Sequence, residues 1–124
     1  MDTNVLVTAG HKLIDLLEAK GFKARAAMWV HNSDVETWKL WIVGPKNFTD
    51  QRTFYRKVSE AISQNKQDFP GIDASYLELI PDSHEAIRGL SKFARVTGKS
   101  SVFMQNNRFN NFYLADGIIL LMDP

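Results

Sequence analysis

The sequence predicts an α+β fold, in which three helices pack on a mixed, mainly antiparallel five-stranded sheet. Three observations support it: three segments carry apolar residues at helical spacing, five segments are strand-like, and turn-forming segments separate them. The resulting order, α-β-β-α-β-α-β-β, buries its apolar faces most simply as helices layered on a sheet. The chain has 124 residues with no internal repeat or linker, so we expect a single α+β domain over residues 1–124.

The first helix is predicted over residues 5–20, because apolar residues recur on one face and Gly21 follows as a stop signal. A second helix begins at a cap formed by Thr49 or Asp50 and runs to about Gln64. The inner face of the first helix carries Leu6, Ala9, Leu13, Leu16 and Leu17. The inner face of the second carries Phe54, Val58, Ala61 and Ile62.

Residues 23–31 and 36–43 are predicted to form a hairpin, because two strand-like segments flank good turn chemistry. A loop of two or four residues centred on 33–34 places Trp29 directly opposite Trp38, and cross-strand aromatic pairs help to set a hairpin register. A three-residue loop breaks that pairing.

Both faces of this hairpin are apolar. One face carries Ala27, Trp29, Trp38, Leu40 and Ile42. The other carries Met28, Val30, Trp41 and Val43. A sheet that is apolar on both faces needs cover on both. Either the three helices divide between the faces, or one face meets a partner subunit or a ligand, and this argument favours a homodimer.

The third strand is predicted over 74–80. A third helix then opens at 81–83 and ends at Gly98, with Asp82 and Glu85 approximating a capping box. Its predicted inner face carries Ala86, Ile87, Leu90, Phe93 and Ala94.

Residues 101–105 and roughly 111–122 are predicted to be the last two strands. The Asn-rich segment 106–111 between them is predicted to form a turn, because asparagine tolerates left-handed backbone angles. Asp116-Gly117 is either a tight hairpin turn or a bulge within one long strand.

The composition excludes several classes of function. With 15 basic and 14 acidic residues, the net charge of +1 is not typical of a protein that neutralises long nucleic acids. The absence of cysteine excludes disulfide scaffolds, thiolate metal sites and cysteine nucleophiles. The histidines lack metal-ligand spacing, and no nucleotide-binding or serine-nucleophile motif is present, so we predict no metal, cofactor or catalytic residue. Neither terminal segment is typical of a secretory signal or a membrane span, so we expect a cytoplasmic protein without a membrane partner.

Basic residues form the sharpest local pattern. Arg88, Lys92, Arg95 and Lys99 would share one face of the third helix if that helix continues to its predicted end. Arg52 and Arg56 repeat the spacing on the second helix, and Arg108 and Phe109 add a guanidinium and a ring. Such residues suit phosphates and unpaired bases. The alternative is a solvated face, since basic residues after Asp82 and Glu85 also complement the helix dipole.

The aromatic residues and one aspartate are further candidates. Trp29, Trp38 and Trp41 would line an apolar pocket with a polar rim, or simply belong to the core. Asp116 is a candidate binding residue.

Three segments carry a recognisable pattern: LIDLLEAKGFKARAAMWVHNSDVETWKLWIVGP, FYRKVSEAI and NNRFNNFYLADGIIL. In these segments the chain resembles a family of small uncharacterised bacterial proteins. An acidic pair usually precedes the last apolar run of the family, and here only Asp116 of that pair remains. The family has no assigned function, and short reading frames of this type often travel on mobile genetic elements. The resemblance therefore implies an accessory role for such an element, but no activity.

Together these observations predict a non-enzymatic binding protein that self-associates. One alternative is a nucleic-acid-associated accessory protein that uses its basic helix faces, and another is a small enzyme built around Asp116 or a histidine.

Overall fold

The computed structural model describes residues 2–123, which form three α-helices and one five-stranded sheet. The strand order is β3-β2-β1-β5-β4, and neighbouring strands are antiparallel except for the parallel pair β2 and β3. This confirms the predicted α+β fold and its element order. The elements are α1 (Thr3–Ala19), β1 (Ala26–Asn32), β2 (Thr37–Val43), α2 (Gln51–Gln64), β3 (Leu77–Leu79), α3 (Glu85–Ser91), β4 (Val102–Phe109) and β5 (Phe112–Met122).

The helices divide between the two faces of the sheet. One face, here the α1/α2 face, packs Ala27, Trp29, Leu40 and Ile42 against α1 and α2. The opposite face, here the α3 face, contains Met28, Trp41 and Val43 together with residues of α3. The predicted division of the hairpin residues between two faces is therefore correct. Because each face has helical cover from the same chain, the hairpin itself needs no partner subunit.

Close packing of α1 on the sheet depends on Gly10 and Trp29. A Cβ atom on Gly10 would overlap Cδ1 of Leu120, so any larger residue there would require this buried side chain to shift. The indole Nε1 of Trp29 donates a hydrogen bond of 2.7 Å to the carbonyl of Leu6. Asp2 caps the helix by accepting from the amide of Asn4.

The predicted register of the β1–β2 hairpin is wrong by two residues. Trp29 lies opposite Leu40, and Trp38 lies opposite His31. The loop comprises residues 33–36, one position later than predicted, because Glu36 adopts a left-handed φ of 52° that closes it. A shift of two residues preserves the alternation of side chains, which explains why the faces are correct although the pairing is not.

The third helix is shorter than predicted. It ends at Ser91 rather than near Gly98, and its N-cap is the Nδ1 atom of His84, which accepts from the amide of Ala86. The expected capping box does not form.

The early end of α3 has a long-range cause. Val96 exchanges two backbone hydrogen bonds with Met122 and thereby returns the chain to the sheet. Phe93 consequently leaves the helix and is 84% exposed, whereas the sequence places it in the core.

The last hairpin is longer than predicted and its turn is tighter. Much of the Asn-rich segment belongs to β4, and the turn contains only residues 110–111. Asn106 and Asn110 have φ values of 55° and 56°, as the tolerance of asparagine for left-handed angles predicts. Asp116-Gly117 lies inside one long strand, β5, and pairs in continuous register with β1 and β4, so it forms neither a turn nor a bulge.

Candidate functional site

The three tryptophans do not form one pocket. Trp29 is buried in the core of the α1/α2 face. Trp38 is half-buried on that same face, with its ring 4.8 Å from the ring of His31. Trp41 lies on the opposite face, where its ring contacts His84 and Phe112 at centroid distances of 4.7 and 5.3 Å. The sheet therefore separates the residues that the sequence grouped.

A cavity of about 330 Å³ does lie beside Trp41, near the β1–β2 loop. Phe112 and Val30 contribute apolar surface to it, and Lys39 and Glu78 are among its polar residues. The ammonium of Lys39 donates to the carbonyl of Ser75, so this cation is already engaged. Polar residues of the β1–β2 loop, among them Asn32 and Asp34, also line the pocket, so its mixed lining selects no ligand class.

Asp116 lies next to His31 across the β1–β5 pair. The distance from Oδ2 of Asp116 to Nδ1 of His31 is 3.7 Å, and Glu36 approaches Nε2 at 3.5 Å. The Asp116 distance exceeds that of a hydrogen bond. Among residues 2–123, no group of three or more histidine, aspartate or glutamate side chains is placed to hold a metal ion. The arrangement brings two carboxylates close to one imidazole.

The predicted basic stripe is broken, because α3 ends before Arg95 and Lys99. Arg95 forms an ion pair with Asp123 at 3.3 Å, and Lys99 pairs with Asp15 of α1. Arg108 lies over the ring of Tyr113, 5.9 Å from its centroid. The four basic residues that were predicted to share one face of the third helix therefore do not form one surface.

Arg88 and Lys92 stay together and meet the tip of the β4–β5 hairpin. They line a groove of about 310 Å³, here the α3–hairpin groove. Its full lining is Glu85, Arg88, Gly89, Lys92, Phe93, Phe109 and Asn110. The sequence grouped Arg88, Lys92 and Phe109 as candidates for binding phosphates and bases, and all three line this groove. Phe93 joins them because it lies beyond the end of the helix.

Strand β4 forms one edge of the sheet and is eight residues long, whereas β3 at the other edge has three. Val102 and Phe103 are 40% and 58% exposed. Arg108 is the only charged residue in β4. The sequence did not identify Val102 and Phe103 as candidate binding residues. They belong to a predicted strand with apolar residues at successive positions, but the sequence does not give the strand order that places this strand at an edge.

The largest of these cavities, about 540 Å³, lies beside α1 and carries charges of both signs. Lys23, Arg25 and Lys46 line it together with Glu18 and Asp123. Arg25 is bound elsewhere, since it donates to the carbonyl of Gly44 and pairs with Asp82. The mixture of charges selects no ligand class.

No family model matches this chain, and neither a curated protein nor a solved structure is significantly similar to it. Within residues 2–123, no helix has both the length and the apolar character that crossing a membrane requires. Functional proposals for this chain therefore rest on its own residues and geometry.

Proposed function

We propose that this chain is a non-enzymatic binding protein that self-associates through the free edge of β4. The observation that carries the proposal is the exposed pair Val102 and Phe103 on an eight-residue edge strand with a single charge. Edge strands present unpaired backbone donors and acceptors, and proteins that stay monomeric usually protect such edges with charges, prolines or a short strand length. Residues 102–105 carry no charge and no proline.

A two-fold axis perpendicular to the sheet would join two copies of β4 in antiparallel fashion. In this arrangement, directly opposite residues of the two strands project from the same face of the combined sheet. Phe103 lies opposite Ile118 in the β4–β5 pair and therefore projects from the α1/α2 face. Centring the axis on Phe103 places this ring against the same ring of the second copy, which removes the largest exposed side chain of β4 from water.

The rest of β4 is compatible with this register. Asn106 has a φ of 55°, and the side-chain Nδ2 of Asn107 donates to the backbone carbonyl of Gln105, so the regular edge extends only to Gln105. The axis at Phe103 keeps pairing within the regular segment. It also separates the two copies of Arg108 by ten residue rises, about 33 Å, so that their charges do not repel.

Sedimentation equilibrium at micromolar concentration tests the proposal. We expect a dimer for the wild type and a monomer for Phe103→Lys, because a lysine at the centre of the interface places two like charges together. Val35→Lys is the matched control, since Val35 is 62% exposed but belongs to the β1–β2 loop. A monomeric wild type, or equal dissociation of both variants, would refute the proposal.

Disulfide cross-linking tests the register. The chain contains no cysteine, so a single Phe103→Cys substitution introduces the only thiol. Opposite residues of antiparallel strands have Cα atoms about 4.5–5.5 Å apart, within reach of a disulfide. We expect a covalent dimer on oxidation of this variant. The Gln105→Cys control should cross-link far less, because its two copies would lie about 13 Å apart along the strands. Equal cross-linking of both variants would exclude this register.

A further inference from the structure

We propose that the α3–hairpin groove binds single-stranded nucleic acid, with one unpaired base stacked on Phe93 and the neighbouring phosphates on Arg88 and Lys92. This site is separate from the proposed β4 interface. Phe109, the β4 residue in the groove, lies six residues from Phe103, about 20 Å along the strand. Either proposal therefore fails or holds without the other.

Phe93 provides a platform for stacking. Its side chain is 84% exposed, although it follows directly after a helix whose inner residues are buried. Phe109 lies on the other wall of the same groove and is partly buried against the core of the α3 face. An exposed ring beside a second, fixed ring suits the planar face of a base, which every nucleotide presents.

The charge of the groove complements a phosphate backbone. Arg88 and Lys92 form no ion pair within residues 2–123, in contrast to Arg95 and Lys99. Glu85 is the one acidic residue of the groove. Glu85 precedes Arg88 by three residues and therefore lies beside it on the helix surface. The positive charge of the groove is accordingly greatest toward Lys92 and Phe93, where we expect the phosphates to bind.

The size of the groove favours single strands. A volume of about 310 Å³ admits a base and its phosphate, but not a duplex. The overall charge of +1 also provides little attraction for a long double helix. Asn110 adds an amide at the wall, where it can donate to a phosphate or a base.

Fluorescence polarisation with labelled 12-nucleotide oligomers of deoxyuridine and uridine, which differ only in the sugar, tests this site. We expect saturable binding at low salt that weakens as salt increases, with a log–log slope of about −1.4 for two phosphate contacts on a single strand. Binding of only one oligomer would identify the sugar that the site prefers. Phe93→Ala should weaken binding roughly tenfold, because stacking on an aromatic ring is lost.

Charge reversal provides the matched comparison. Arg88→Glu combined with Lys92→Glu should abolish binding. The control combines Arg52→Glu with Arg56→Glu on α2, which packs on the opposite face of the sheet. This control changes the net charge by the same amount, and it should retain most of the oligomer binding. Circular dichroism and thermal unfolding verify that each variant folds.

Three results would overturn the proposal. The first is no binding by the wild type at low salt. The second is equal loss in the two double variants, which would reveal only attraction to net charge. The third is Phe93-dependent co-sedimentation with phosphatidylserine vesicles in the absence of oligomer binding, which would assign the exposed ring and cations to a membrane surface.

Discussion

Gly89 of α3 lies directly against the ring of Phe109 at the end of β4. A Cβ atom on Gly89 would come within 2.9 Å of Cε1 and would overlap Cδ1. Helix interiors usually disfavour glycine, so its presence in a helix of seven residues reflects this contact. The pair joins α3 to the β4–β5 hairpin and fixes two walls of the α3–hairpin groove.

We expect Gly89→Ala to destabilise the protein by about 1–3 kcal/mol, because the added methyl group overpacks the contact. Urea unfolding measures the change. In a Phe109→Ala background the ring no longer contacts position 89. Gly89→Ala should then raise the free energy of unfolding by up to about 1 kcal/mol, because alanine has the higher helix propensity. The same sign in both backgrounds would show that Phe109 does not limit this position.

Trp29→Phe should cost about 2–3 kcal/mol, because it removes the hydrogen bond to the Leu6 carbonyl and leaves unfilled volume in the core. Trp38→Phe is the control, and a half-buried side chain should lose less than about 1 kcal/mol. Chemical denaturation compares the two. Equal losses would argue against a structural role of the indole nitrogen of Trp29.

The stability should fall as the pH is lowered from 7.5 to 5. Burial, followed by the charge of Lys99, lowers the pKa of His11 below its usual value of 6.5, against opposing contributions from Ser100 and Asp15. The unfolded state therefore binds more protons than the folded state below pH 6.5, and the free energy of unfolding decreases there until the folded-state pKa is passed.

Denaturation at several pH values measures this dependence, and His11→Gln should flatten it. An NMR titration of the wild type checks the cause directly, because the midpoint of His11 should lie below 6.5. Asp50 and Asp73 also have lowered pKa values, owing chiefly to hydrogen bonds from Thr53 and Ser75. Their contribution is lost only on acidification below 3.8, outside this window.

The sequence predicted only part of the candidate site. The sequence singled out Arg88, Lys92 and Phe109, and these meet in one groove. It could not place Phe93 there, because the end of α3 depends on a pairing between Val96 and Met122, which are far apart in the chain. A periodic pattern reports which face of a helix is apolar, but not where a distant strand ends that helix.

The sequence by itself determined the order of the elements and the two apolar faces of the hairpin, since both follow from short-range periodicity and turn chemistry. The tertiary structure alone decided the register of Trp29 and Trp38, the division of the helices between the faces and the position of β4 at an edge. These depend on loop closure and on contacts between distant segments. The edge position is what leaves Phe103 exposed, because the strand order gives β4 a neighbour on one side only.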